Sequence, residues 1–548
     1  MLIFGLTLTI SCNQDSLEIP QKSVIDLEEF YKNAGPNEAE QLISSIYDQF
    51  YEQIQGITTQ IFLDVLSDDH FAGGNSFGDG ASGFNITGLL NINPQMPTNP
   101  NTMYVNAYKI IYWANCILEK IPATTDARVN RVKAEANFFR ALMMFELVRW
   151  FGTPPFVDHV IDIEGGEEFL LPNGDHFEII TWCLARMQEA ADALPALSGI
   201  GTQRAFHARI SKHGALAYKG KMALWYGTRY KNPAILAQAV EPLKTVVNSG
   251  LYDLLEDISR IGRMAADFSR EYIFEHNAED SGGYPNNQSD NRHTWTNWRP
   301  ENMIVPGEIW NYGWGWDPPT GDFGDFLKNH HGGDIENPRF KATLRTYDQV
   351  MAMDYSTVVG TPGIFAPIDA NQGYFRYRGL NFASEVYMEL AGSGKKSKAN
   401  THFMRYAEVL LMYAEAKFRV DNDADGTGLA ALNKVRTRAK LPPLAALTEQ
   451  AIKDERRAEL WSEGERYFDL VRWGDAATVL KDKGKIQYTF WGYEKDASGN
   501  VIEPKKWKIV VSTPPAGSAN GWDPKYELMP FPYVQLSVNP NLKQNPGW

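Results

Sequence analysis

AEANFFRALMMFELVRWFGTPPFV, residues 134–157, reads as a helix closed by a turn. Between 131 and 151, Val132, Ala136, Phe139, Met143, Leu147 and Trp150 recur at helical spacing. Phe138, Leu142 and Phe145 add a second apolar stripe, which predicts a helix packed on several sides rather than lying on a surface. Gly152 and the Pro154-Pro155 pair stop it, because glycine accepts a left-handed cap and proline cannot continue the helical hydrogen-bond ladder.

Working outward, residues 38–55, 101–121, 127–151, 175–195, 206–230 and 232–249 read as helices. A second helical block spans about 402–475, where the small residues Ala407, Ala414 and Ala416 alongside Tyr406, Leu410 and Tyr413 allow helices to approach closely. Paired amphipathic helices of this length predict a mainly α fold on a tetratricopeptide-like scaffold, although the 34-residue period of such arrays is not clean. Residues 256–400 change character. Gly, Pro, Asn, Asp and Trp become frequent and helical periodicity fades, so this stretch is expected to be irregular but ordered. The tail, 484–548, is expected to be mostly non-helical, with alternating runs such as Lys508-Ile509-Val510-Val511. The whole reads as one domain from residue 12 to 548, with the scaffold mainly in 38–255 and 402–475.

Composition narrows the function. With 67 acidic against 53 basic residues the 548-residue chain carries a formal charge of −14, which disfavours binding to a phosphate backbone and predicts no nucleic-acid partner. The three cysteines cannot build a disulfide framework or a Cys-rich zinc site. Cys116 and Cys183 lie in apolar helical runs and are expected to be small buried hydrophobes. Cys12 follows the uncharged run MLIFGLTLTIS, too short to span a membrane, and precedes a polar stretch. Residues 1–11 therefore read as a secretory signal, and Cys12 resembles the acylated cysteine of a bacterial lipobox.

Four pieces, the opening stretch among them, occur in order. They are 134–157; NPRFKATLRTYD (337–348); HFMRYAEVLLMYAEAKFR (402–419), with LNKVRTRAKLP (432–442) and ERRAELWSEGERYFDLVRWG (455–474); and the ending LMPFPYVQLSVNPNLKQNPGW (528–548). Behind a lipoprotein-like cysteine, they resemble the SusD/RagB family of outer-membrane nutrient-binding lipoproteins. That resemblance implies about four tetratricopeptide-like helix pairs carrying a loop-rich ligand-binding half. It also implies lipid anchoring on the extracellular face of the outer membrane of a Bacteroidetes-type cell. The implied partner is a TonB-dependent transporter of the SusC type, for which the protein acts as a lid, and the implied ligand is commonly an oligosaccharide, sometimes a peptide.

Catalytic signatures such as a phosphate-cradling Gly-x-x-x-x-Gly-Lys loop or a His-Glu-x-x-His helix do not occur, so neither an enzyme nor a cofactor or metal is expected. His330-His331 sits in a Gly/Asp-rich stretch and reads as solvated. Asp421–Gly426 opens like a calcium loop, but Leu432 stands at its twelfth position in place of the bidentate Glu, and a polar turn is expected. Glu455, Glu459 and Glu463, interleaved with Arg456, Arg466, Asp469 and Arg472, read as ion pairs tying helices together.

Tryptophan placement carries the functional signal. Trp295, Trp298, Trp310, Trp314 and Trp316 are five of the chain's 15 tryptophans, all within 22 residues, among Gly, Asn, Asp, Arg and Pro. An aromatic plate packs on the C–H face of a sugar ring while amides and charges meet its hydroxyls. Trp314 and Trp316, flanked by Gly313 and Gly315, are the first choice of plates, with Trp295, Trp298 and Tyr284 beside them. Asn287, Asp290, Arg292 and Asn297 are the expected polar partners. Asp69 and Phe71 fall in a stretch that resembles a ligand-contacting loop of the family. The leading expectation is capture of an oligosaccharide for the transporter. A peptide-capturing lid and a glycoside hydrolase are the alternatives.

Overall fold

A computed structural model describes residues 27–73, 90, 92, 95, 99–161, 170–197, 208–278, 295–298, 309, 313–353, 372–380, 382–385, 397–483, 488–493, 496–500, 502–503, 507–512 and 521–548. Helices dominate. In the first block α1 (Pro36–Gln49) runs into a π-helical turn (Phe50–Ile54), followed by α2 (Ile57–Leu66), α3 (Asn99–Lys120) and α4 (Ala127–Phe151). Then come α5 (His176–Ala193), α6 (Lys212–Arg229) and α7 (Val240–Val247). Each of α3 to α7 packs on the next, and α7 packs on α10 (Tyr406–Asp421) of the second block, so neighbouring helices share one continuous core.

Helix α4 is the axis of that core. The Asp126 carboxylate accepts the Arg128 and Val129 N–H groups at its start, and Gly152 closes it at φ +76°. Nineteen of its 25 residues are buried, as expected of a helix with an apolar surface wider than one face. Its end is sealed by the distant chain terminus. Met529 N–H donates to Trp150 O at 2.7 Å, and Asn545 Nδ2 donates to Phe151 O at 3.0 Å. Carbonyls that a helix C-terminus leaves unpaired are thus satisfied by the tail that carries the Asn-Pro-Gly ending.

The structure corrects several element boundaries. The helix expected over 232–249 is interrupted, giving Pro233–Ala237 and α7, because the Pro242 ring would strike the carbonyl of Gln238 four residues back. The helix expected from 206 starts at Lys212, where the Ser211 hydroxyl accepts the Gly214 N–H. Residues 402–405, expected as helix, belong to strand β4 (Thr401–Arg405), which pairs antiparallel with β1 (Tyr272–His276). The segment expected to be irregular contains α8 (Gly321–His330), started by the Thr320 hydroxyl, and α9 (Pro338–Thr343), started by Asn337. It also contains the short antiparallel pair β2 (Leu344–Thr346) and β3 (Tyr374–Arg376). In the tail, β5 (Tyr488–Tyr493) pairs with β6 (Trp507–Ser512) as the alternating run predicts. A short helix, Tyr533–Val538, follows.

The second block continues from α10 through α11 (Thr427–Arg438), α12 (Glu449–Glu459) and α13 (Arg466–Trp473), and its interior is ionic. Glu455 holds Arg339 at 2.5 Å and Arg436 at 2.9 Å, and Glu459 holds Arg405 at 3.1 Å and Arg438. Glu463 holds Arg405 at 2.5 Å. Neither Arg339 nor Arg405 has any exposed surface. Such burial is tolerated because each charge meets several opposite charges and hydrogen bonds at once. These pairs reach between elements rather than along one helix. His330 and His331 are also withdrawn from the expected solvated loop. His330 Nε2 lies 3.1 Å from Glu455, and buried His331 accepts from Arg339 Nε at 3.2 Å. The acids of 421–426 cap the next helix, Asp423 accepting the Gly428 and Leu429 N–H groups and Asp425 that of Thr427. Cys116 and Cys183 are buried in the helical core. Among the described residues no helix is long and apolar enough to cross a membrane.

Candidate functional site

Three distant segments meet at one junction. After α2 the chain runs through Asp69–Gly73, which lies antiparallel to Trp316–Thr320, with bridges His70↔Pro319 and Gly73↔Trp316. Asp317 N–H donates to Ala72 O at 3.0 Å, and Thr320 N–H donates to Asp69 O at 2.9 Å. On the other side Gly315 N–H donates to Asn297 O at 3.0 Å, and Trp316 N–H to Trp295 O at 2.8 Å. The glycines make this contact possible. A Cβ on Gly313 would lie 2.2 Å from Asn297 O, and one on Gly73, at φ +74°, would lie 2.3 Å from Gly315 O. They bring backbones together; they are not spacers that push the tryptophans outward.

Trp295, Trp314 and Trp316 close into a cluster at this junction. Trp295 and Trp314 stack with centroids 5.8 Å apart and planes at 24°. Trp316 meets the edge of Trp295 at 5.0 Å and tilts against Trp314 at 4.9 Å. Only 7% of Trp316 is exposed, so with Ala72 it forms the floor, while Trp295 also packs on Ile61 and Val65 of α2. Trp295 and Trp314 are partly exposed and form the presented apolar surface.

Other expected site residues have different surroundings. Trp298 is buried in a separate cluster with Phe375 and Leu380, and its indole N–H donates to Arg376 O at 2.7 Å. It belongs to that cluster and not to the aromatic junction. Asn297 and Phe71 are buried. Asp69 is 1% exposed and bound to Arg457 Nε at 2.7 Å, so this carboxylate anchors the junction to α12 rather than facing solvent. Tyr284, Asn287, Asp290, Arg292, Trp310 and Cys12 lie outside the described residues.

The same junction carries a charged group whose pairing sequence reasoning missed. Arg466 grips Asp68 through two bonds of 2.9 Å, and Arg457 reaches Asp68, Asp69 and Asp322. Burial works to raise the Asp68 carboxyl, but the guanidinium groups of Arg466 and Arg457 hold it well below the ordinary carboxylate range. Asp64, Ser462 and Arg376 sit beside His70 and Asp317; burial and the nearby Asp317 carboxylate push Asp64 up to about 7, and burial lowers His70 to about 4. A cleft of about 990 Å³ opens at the far end of the same antiparallel pair, lined by Asp68, Thr320, Asp322, Gln372, Lys453 and Arg457 among others. The adjacent acids Asp68-Asp69 and the arginines near 457–466 were legible as charged, but no sequence spacing joins them across almost 400 residues.

This fold has known counterparts. Residues 270–548 match the SusD family, and residues 26–221 match a family described as "Starch-binding associating with outer membrane". The chain belongs to the SusD family. SusD-like protein P2 of Formosa agariphila is 26% identical over 480 residues, covering 82% of this chain and 80% of that protein. A solved "Laminarin binding SusD-like protein" superposes with a TM-score of 0.71 at 26% identity, covering 94% of this chain and all of the other. Surface glycan-binding protein A from Bacteroides thetaiotaomicron, solved in complex with laminarihexaose, shares the fold with a TM-score of 0.69 at 19% identity, covering 93% of this chain and 99% of the other.

Proposed function

We propose that this protein is a cell-surface glycan-binding lipoprotein, anchored through Cys12 to the outer membrane, that captures an oligosaccharide without cleaving it. We further propose that it passes the glycan to a TonB-dependent transporter of the SusC type. The observation that carries the reading is the partly exposed Trp295–Trp314 stack, held on a buried Trp316 floor by three backbone segments. A rigid aromatic surface loses little entropy when a sugar ring packs on it. By analogy with base stacking, one such plate contributes ~1–3 kcal/mol, about tenfold to a hundredfold in affinity. The names of the structural relatives make laminarin-type glucans the first ligands to try.

The test is calorimetry of a soluble chain starting at Asn13 against laminari-oligosaccharides and a broader glycan panel, with Trp314→Ala alongside. Glycan-selective binding weakened in the variant is expected. Binding unchanged by Trp314→Ala removes this surface from the site, and a folded wild type that binds peptides and no glycan overturns the ligand class. Prolonged incubation followed by mass spectrometry is expected to return the oligosaccharide intact. Release of Cys12→Ser protein from the cell surface, with loss of fatty-acid labelling, is the expected sign of the anchor.

A further inference from the structure

The junction contains a group of side chains that glycan capture does not use. Asp64 lies in the last turn of α2, His70 lies in the strand that follows, and Asp317 follows Trp316 on the opposing strand. All three are buried, with exposures of 2%, 1% and 1%. One oxygen from each aspartate and one imidazole nitrogen lie within 4.8 Å of one another.

Each side chain is held from behind. The Asp317 carboxylate and main-chain carbonyl are gripped by the Arg376 guanidinium, while its other oxygen, Oδ1, stands 2.8 Å from His70 Nδ1. Asp64 accepts the Gly464 N–H at 3.1 Å through one oxygen, and its second has only long contacts, 3.4 Å to Gln60 and 3.5 Å to Ser462. The His70 ring is fixed by stacking on Trp461 at 4.7 Å, with planes 8° apart. Enclosed as it is, His70 Nε2 meets no hydrogen-bonding group among the described residues.

We propose that Asp64, His70 and Asp317 form a binding site for a first-row divalent cation, of which Zn²⁺ is the best fit. Two carboxylates and an imidazole are a nitrogen–oxygen donor set suited to Zn²⁺ or Mn²⁺, whereas Ca²⁺ prefers oxygen donors alone. Zinc ligands stand ~2.0–2.2 Å from the ion, so ligand atoms as much as 4.8 Å apart close by up to about 1 Å when the ion binds. Arg376, Gly464 and Trp461 act as outer supports that orient the ligands, the arrangement metal sites use to fix ring and carboxylate direction. Charge also fits. With both aspartates ionised they face one guanidinium, and the remaining negative charge is one that a bound cation neutralises. A bound ion would fasten α2 and the 69–73 strand to Asp317, directly behind the Trp316 floor, so the site is a structural clamp independent of which ligand the tryptophans take.

The experiment uses the soluble chain stripped with chelator and reloaded with Zn²⁺, Mn²⁺ or Ca²⁺ separately, then gel-filtered and assayed for metal by mass spectrometry. One Zn²⁺ per chain is expected, with a raised melting temperature that chelator reverses and no matching effect of Ca²⁺. Asp64→Asn and His70→Gln are each expected to weaken Zn²⁺ binding by about tenfold or more. His159→Ala, which alters an exposed histidine beside Asp158, is expected to leave binding unchanged. Co²⁺ gives a readout that needs no stability comparison, since the wild type should show the visible absorption of a protein-bound ion and His70→Gln should not. Failure of the folded wild type to retain Zn²⁺, or equal retention by Asp64→Asn and His70→Gln, overturns the assignment. Glycan calorimetry on the same samples reads the aromatic surface separately.

Discussion

Helix α4 and the 313–320 segment both disappear into the protein, but by different physics. In α4 the side chains do the work, with Phe138, Phe139, Met143, Phe145 and Leu147 without exposed surface and packed on neighbouring helices. In 313–320 the backbone does it. Gly313, and Gly73 on the opposing strand, let the backbones approach within hydrogen-bonding distance, and the tryptophans acquire their positions as a consequence. Side-chain burial follows a periodic pattern within one element, whereas backbone-to-backbone approach joins separate segments, one of them more than 200 residues away. The first kind of burial builds the scaffold; the second builds the surface on which function depends.

The sharpest break of this comparison comes from Phe139→Ala. Removing a fully buried ring from the shared core is expected to destabilise the fold by ~3–5 kcal/mol in denaturant titration, while the folded fraction keeps its glycan affinity. Affinity lost in proportion would mean that the scaffold and the junction are not separable. Gly313→Ala tests the other side. Its new methyl meets Asn297 backbone, which cannot move aside like a flexible side chain, and the expected loss is ~1–3 kcal/mol together with loss of glycan binding. A variant that binds normally would show that the close approach is dispensable.

A pH test sharpens the role of the scaffold strand β1. Burial raises the Glu275 carboxyl to about 8, although the Asn400 amide and Phe268 N–H partly support its charge. The unfolded chain releases this proton near pH 4.5 and the folded chain holds it to about 8, so Glu275 costs stability progressively as pH rises through that window. Glu275→Gln is therefore expected to gain melting temperature over wild type at pH 8 and to show little difference at pH 4; an equal offset at both values would refute the raised carboxyl. The smallest effect on folding is expected from Trp314→Ala, below ~1 kcal/mol because the ring is already partly exposed, yet glycan affinity should fall by about tenfold or more. A large stability loss there would place Trp314 with α4, among the supports.

Much of the scaffold was legible because it obeys local rules. The limits of α4 agree with the expected 127–151, since the apolar stripes, the Asp126 cap and the Gly-Thr-Pro-Pro stop all lie within thirty residues. The mainly helical class followed from the same patterning. Where the reading failed, a distant partner intervened. Residues 402–405 carry a helix-compatible sequence but pair with β1, and α8 hides in a Gly/Asp-rich stretch that lacks a long apolar period. The tryptophan cluster was found by density and composition, but its exposures were not readable. Trp298 and Trp314 stand in similar local sequence. One is buried with its N–H bound to Arg376, and the other remains partly open beside Trp295. Asp69 and Phe71 looked like loop residues facing a ligand because nothing near them in the chain announces Arg457 or the 316–320 strand.

By itself the sequence determined the helical class, the family resemblance, the buried cysteines and the crowding of tryptophans into one region, because these depend on residue type and short spacing. Tertiary structure decided which tryptophans are presented, which acids are bound to arginines, and that Asp64, His70 and Asp317 share one buried space. Exposure and charge pairing are properties of what stands opposite a side chain, and here the opposing groups come from segments as far as about 400 residues away.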